Sequence, residues 1–166
     1  MVRYYRKRSQ RTVPRSSWNE TSGSTATTHI LKPGIRWLHS QSLNEHLCMA
    51  TARLLGVNAA KTEYRVFDGE LAVVVERYDR RVDESGTVVR EHQEDMCQAL
   101  SVLARYKYED EGGPGAAQIA DLLRDIAAQD DVWRFIEALA FNYLIEAPDG
   151  HAKNFSMLLP QNGIYP

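Results

Sequence analysis

The residues best suited to chemistry lie in one short polar stretch, Pro148-Asp149-Gly150-His151-Ala152-Lys153-Asn154-Phe155-Ser156. It holds a carboxylate, Asp149, and an amide five positions later, Asn154. In phosphoryl-transfer loops an Asp at this place takes the proton of the attacking hydroxyl, and an Asn at this spacing ligates Mg²⁺. The metal takes hard oxygen ligands, and an amide oxygen supplies one without adding charge. One tight loop can therefore offer both groups to a single phosphate. Asp-Gly is also an ordinary turn pair. On spacing alone, a structural turn is the commoner reading.

The elements around this loop follow from periodicity. Asp130 to Ile145 predicts a long helix with Trp133, Ile136, Ala140, Tyr143 and Leu144 facing inward and Phe135 and Leu139 beside them. Phe155 to Leu159 predicts a strand, and Asn162-Gly163 a hairpin turn into Ile164-Tyr165. Upstream, Thr27 to Lys32 alternates as a strand that Pro33-Gly34 ends. Lys32 at that strand end reads by itself as a solvated charge. Ser42 to Leu55 predicts a helix with Leu43, Leu47, Ala50 and Leu54 buried. Ser42 and Glu45 have the spacing of a capping box, the first reading of Glu45. Lys61 to Tyr78 reads as a hairpin turning at Asp68-Gly69, with Leu71 to Val75 buried on both faces. Gln93 to Leu103 predicts a helix, and so does the segment bearing Ile119, Leu122, Leu123 and Ile126. Gly112-Gly113-Pro114-Gly115 is read as the turn before it, since the preceding Glu109, Asp110 and Glu111 would repel phosphate.

The 166 residues suggest one ordinary globular domain. A net charge of −2 gives no general case for nucleic-acid binding. Arg3, Arg6, Lys7, Arg8, Arg11 and Arg15 crowd the N-terminus, and residues 1–24 read as a basic, unstructured tail. Cys48 and Cys97 lie in predicted amphipathic helices and show no zinc spacing, so reduced thiols are expected. No apolar run approaches the roughly 20 residues that span a bilayer. With no signal peptide apparent, the cytoplasm is the expected compartment and no membrane partner is expected.

The loop Asp149-Gly150-His151-Ala152-Lys153-Asn154-Phe155-Ser156 resembles the catalytic loop of HipA-type serine/threonine kinases, toxins of a bacterial toxin–antitoxin system. Four more blocks resemble that family in its order: Thr27-Thr28-His29-Ile30-Leu31-Lys32, Glu76-Arg77-Tyr78-Asp79-Arg80-Arg81, Gln93-Glu94-Asp95-Met96-Cys97-Gln98 and Gly112-Gly113-Pro114-Gly115. The resemblance runs from about residue 25 to the C-terminus. It implies an α+β, protein-kinase-like fold, with a small β-rich lobe over 25–78 and a mainly helical lobe over 79–166. It implies ATP and Mg²⁺ as cofactors. Asp149 would be the catalytic base and Asn154 the metal ligand. Lys32 would clamp the phosphates, with Glu45 as its possible partner. Glu76, Arg77 and Tyr78 would lie beside adenine, and His151 and Lys153 near ATP. The implied partners are a protein substrate, such as an aminoacyl-tRNA synthetase, and a helix-turn-helix antitoxin, with DNA reached only through the antitoxin complex. Two features of the family pattern are not found: a glycine-rich phosphate loop before Lys32, and a second acidic metal ligand after Asp149. The expectation is therefore an incomplete kinase fragment of low or no activity. The alternatives are a non-catalytic remnant that binds antitoxin or DNA, and a small-molecule kinase.

Overall fold

The computed structural model describes residues 3–8, 17–20, 25–35, 37–38, 40–67 and 69–159. The expected turn at Asn162-Gly163 and the strand at Ile164-Tyr165 lie outside the described residues. The fold is α+β, and the chain divides into two compact units after Arg90. The expected division fell after Tyr78.

The first unit is built on a five-stranded antiparallel sheet. Its strands are β1 (Arg3–Arg8), β2 (Ser17–Glu20), β3 (His29–Pro33), β4 (Thr62–Phe67) and β5 (Glu70–Glu76). They lie in the order β2-β1-β3-β5-β4. Of the run Leu71 to Val75, expected to be buried on both faces, Ala72, Val73 and Val74 are buried, whereas Leu71 is exposed and Val75 half-buried, because the cover on the two faces reaches only the middle of the strand. Gly69 has φ +84°, the conformation that a tight Asp-Gly turn demands. Where the composition of residues 1–24 reads as an unstructured tail, β1 and β2 form a hairpin that extends the sheet through β3. Trp18 explains the difference. It packs on the cluster of Leu31, Ala72 and Val74, with its ring edge-on to His29 and Phe67. One large aromatic can anchor a polar hairpin that periodicity does not reveal.

Helix α1 (Gln41–Leu54) packs on β4 and β5. The expected leucine stripe is not its buried face. Leu47 and Leu54 are exposed, while Ser42 and Ala52 are buried. Small residues let the helix approach the sheet closely, and Glu45 shares their face. Beyond β5, β6 (Arg80–Val82) and β7 (Val88–Arg90) pair as a short hairpin. The carboxylate of Asp83 shapes its turn by accepting from Ser85 N and Thr87 N, each at 2.9 Å.

In the second unit, β8 (His92–Asp95) pairs antiparallel with β9 (Ser156–Leu159). The helix expected over Gln93–Leu103 is therefore corrected. Gln93 to Asp95 are strand, and α2 covers only Met96–Ala99. Asp95 is the helix N-cap: its carboxylate accepts from Gln98 N, and Gln98 Oε1 accepts from Asp95 N, both at 3.0 Å. Gly115 is the N-cap of α3 (Ala116–Ile126), so the glycine block is a turn as expected. The core joins Met96, Cys97, Ile119, Leu123, Val132, Phe135 and Ala152. Burial pushes the Cys97 thiol up, with the charge of Asp95 adding to it, so it stays protonated and inert. Helix α4 (Gln129–Leu144) turns a different face inward from the one expected. Val132, Phe135 and Phe141 are buried, whereas Trp133, Ile136, Ala140, Tyr143 and Leu144 are exposed. The helix is apolar on two sides, and only one of them packs against this unit's core.

Candidate functional site

In the first unit the expected phosphate clamp is Lys32. Lys32 pairs with Val73 across β3 and β5. Paired residues point to the same sheet face, here the face covered by α1. Lys32 Nζ donates to Glu45 Oε1 at 2.6 Å, with the two side chains 41% and 23% exposed. The capping-box reading of Ser42 and Glu45 is thereby overturned. The N-cap is Ser40, at φ 60° with no side-chain cap hydrogen bond, and Ser42 is buried within the first turn. Glu45 is drawn to the lysine because an ammonium at a half-buried strand end needs a partner, whereas an exposed first turn is served by water.

Glu76, Arg77 and Tyr78 follow at the end of β5. Glu76 stands opposite His29, and its carboxylate lies 3.7 Å from Lys61 Nζ. Arg77 grips Asp79 with two nitrogens, Nε to Oδ1 at 3.0 Å and Nη2 to Oδ2 at 2.7 Å, and reaches Thr27 Oγ1 at 3.3 Å. Arg80 Nη1 donates to Asp79 Oδ2 at 2.5 Å. Burial alone would raise the Asp79 carboxyl. The hydrogen bond and charge of Arg77, with those of Arg80, reverse this and hold it below the usual 3.8. Arg77 thus points its charge into a structural cluster, while the side chain of Tyr78 is half exposed.

The loop after α4 belongs to the second unit. Glu146 ends the helix at φ 51°, and Ala147 N donates to Asn142 O at 2.9 Å. These bonds aim the chain into Pro148-Asp149. The Asp149 side chain is 72% exposed. Its Oδ1 accepts from Tyr108 Oη at 2.5 Å, with His151 Nε2 at 3.6 Å and Lys107 Nζ at 4.0 Å. Asn154, closing a 3-10 turn over Ala152–Asn154, donates from Nδ2 to Asp149 O at 2.6 Å. That bond uses the amide nitrogen and leaves the amide oxygen out of the contact. His151 is nearly buried, its ring edge-on to Tyr108, and its Nδ1 has no partner among the described residues. Lys153 binds Asp95 Oδ2 rather than standing in solvent.

Asp149, His151 and Asn154 are therefore gathered in one loop, and Lys153 ties that loop to the α2 cap. Lys32, Glu76, Arg77 and Tyr78 belong to the other unit. Sequence reasoning missed Tyr108, Lys107 and Asp95 as neighbours of the loop. Tyr108 lies 41 positions from Asp149 and Asp95 lies 58 from Lys153, so no local spacing links them. Among the described residues no three His, Cys, Asp or Glu side chains gather as a metal cage. No helix among them is long and apolar enough to cross a membrane.

Residues 6–165 match the model of the HipA-like C-terminal domain. The chain belongs to this family. Among relatives of this HipA-like domain, the "Putative kinase Y4mE" of Sinorhizobium fredii is 44% identical over 83% of the chain and 33% of its own length. The serine/threonine-protein kinase toxin HipA of Shewanella oneidensis is 31% identical over 87% of the chain and 36% of its own length. A solved structure from that organism, of its toxin–antitoxin system HipA, HipB and operator DNA, superposes with a TM-score of 0.73 at 30% identity. The match covers 90% of the HipA-like chain and 38% of the solved one. The HipA-like chain thus spans about a third of the length of the curated relatives it matches.

Proposed function

We propose that this HipA-like domain carries the phosphoryl-transfer residues of an ATP-dependent serine/threonine protein kinase. The observation that carries the reading is the loop geometry. Asn154 holds the Asp149 carbonyl, so a carboxylate and an amide oxygen are presented from one short turn. Asp149 takes the proton of a serine or threonine hydroxyl, a step worth about 10²–10⁴-fold. Lys32, oriented by Glu45, meets the charge of the phosphates. Bound Mg²⁺–ATP would supply the phosphoryl group and offset its charge. The donor set suits it, because Mg²⁺ takes few protein oxygens and completes its shell from phosphates and water. The unpartnered Nδ1 of His151 is a second sign of fit, since a buried polar atom left unpaired costs about 1–3 kcal/mol. Glu76, Arg77 and Tyr78 would flank the base of the nucleotide, and Lys153 would brace the loop. By analogy with the HipA relative in complex with HipB and DNA, the partners are a helix-turn-helix antitoxin, with DNA through that complex. A cytoplasmic protein, such as an aminoacyl-tRNA synthetase, would be the substrate.

The test is nucleotide binding and labelled-phosphate transfer by the 166-residue chain. Lys32→Met and Asn154→Ala should weaken Mg²⁺–ATP binding about tenfold. Asp149→Asn should leave binding within about threefold and remove whatever serine or threonine transfer the chain supports. Binding indifferent to Lys32 and Asn154 would sink the reading. Antitoxin capture without nucleotide binding would replace it with a non-catalytic one, and transfer to small molecules alone would change the substrate class.

A further inference from the structure

We infer that Tyr108 is a positioning residue for the loop carboxylate, pinning one oxygen of Asp149 so that the other faces the substrate hydroxyl. This rests on the reading of Asp149 as the base. The Tyr108 hydroxyl, Lys107 Nζ and His151 Nε2 all approach Oδ1. Among the described residues Oδ2 is left unengaged. A carboxylate this exposed would otherwise turn among its rotamers in water. One charge-assisted hydrogen bond at 2.5 Å selects a single orientation.

Tyr108 is itself held from behind. Its carbonyl accepts from Glu111 N at 3.2 Å and Gly113 N at 2.8 Å. A Cβ on Gly113 would lie 2.1 Å from Tyr106 O and 2.6 Å from Tyr108 O, so only glycine closes this turn. Lys107 O accepts from Ala152 N at 3.2 Å, a main-chain staple between the Tyr108 segment and the catalytic-type loop. The glycine block therefore does more than begin α3: it fixes the tyrosine that fixes the carboxylate. A misplacement of about 1 Å in a reacting group can cost about 10²-fold in rate, the scale on which such a brace matters.

Tyr108→Phe keeps the ring against His151 and removes only the hydroxyl. It should lower kcat for phosphoryl transfer by about 10- to 100-fold while KM for ATP stays within about twofold. A tyrosine that served only packing would leave kcat unchanged in this variant. A second readout needs no turnover. In protein labelled with ¹³C at the tyrosine Cζ, the Tyr108 resonance should move on Asp149→Ala and stay in place on Asp121→Ala. A resonance indifferent to Asp149 overturns the inference, including in a preparation without measurable transfer. If Asp149→Asn abolishes transfer but Tyr108→Phe does not slow it, the inference fails and the base assignment stands. If Asp149→Asn transfers normally, the base assignment fails and takes the inference with it.

Discussion

In the first unit a charge is placed by regular structure. Lys32 takes its direction from the register of β3 on β5, and Glu45 takes its own from the turn of α1. Each then needs only the other's side chain, at 2.6 Å, to complete its placement. In the second unit the charge sits on a loop and is 72% exposed. It is placed by a phenol, a glycine turn and a main-chain staple drawn from distant parts of the chain. The contrast separates two ways of making a site rigid. Sheet and helix lend rigidity that their cores have already secured, and a loop must acquire it one hydrogen bond at a time.

The largest effect should come from the ion cluster at the end of β5. Asp79→Ala would leave Arg77 and Arg80 largely buried without their carboxylate, and one-sided removal of such a partner costs about 3–5 kcal/mol. Asp149→Ala, on the exposed loop, should change stability by less than about 1 kcal/mol. Chemical denaturation of both variants checks the contrast, and equal losses would break it. The same cluster sets a pH dependence. The folded pKa of Asp79 lies below its ordinary 3.8, so its stabilisation is fully present above that pH. It should fade as pH falls through the depressed folded value. The thermal midpoint should drop in that acid window, and the Asp79-dependent part of the drop should vanish in Asp79→Asn.

The Lys32–Glu45 pair should show a smaller effect on stability. It is half exposed, so Glu45→Gln should cost no more than about 1 kcal/mol. Mg²⁺–ATP affinity should fall several-fold if the pair orients Lys32 for phosphate. A large stability loss with unchanged affinity would make the pair architectural. The smallest effect is expected at Glu146, which ends α4 at φ 51°. Glycine is at ease in that conformation, and Glu146→Gly should stabilise the chain by about 0.5 kcal/mol after its greater unfolded-state entropy is offset. Loss of stability there would show that the Glu146 side chain has a contact of its own to contribute.

The sequence was most legible where one segment contains its own explanation. The β4–β5 hairpin, the buried middle of β5 and the turn before α3 follow from local patterns, although Leu71 at the start of the β5 run is exposed. The Asp149–Asn154 spacing points to a shared phosphate, but it does not reveal the hydrogen bond from Asn154 to the Asp149 carbonyl, although both residues share one loop. Reading failed where a second segment decides. Glu45 fits a capping box locally, and only the arrival of Lys32 across the sheet redirects it. Both sides of α4 are apolar, and periodicity cannot say which one the core of this unit will take. Gln93 to Asp95 become strand because β9 lies beside them, and nothing within those three residues announces it. Tyr108 carried no signal at all, since its partner is remote in sequence.

The pairing of β8 with β9 also governs time. It joins segments on either side of α2, α3 and α4, and Lys153 reaches Asp95 across 58 positions. Closing so wide a span carries an entropy cost that helices, with contacts a turn apart, do not meet. Contacts of long sequence separation form slowly. The helices can therefore order while the polypeptide is still emerging, but the Asp149 loop cannot settle until β9 returns to β8. Within this unit the exposed Asp149 loop therefore settles after the helices that precede it.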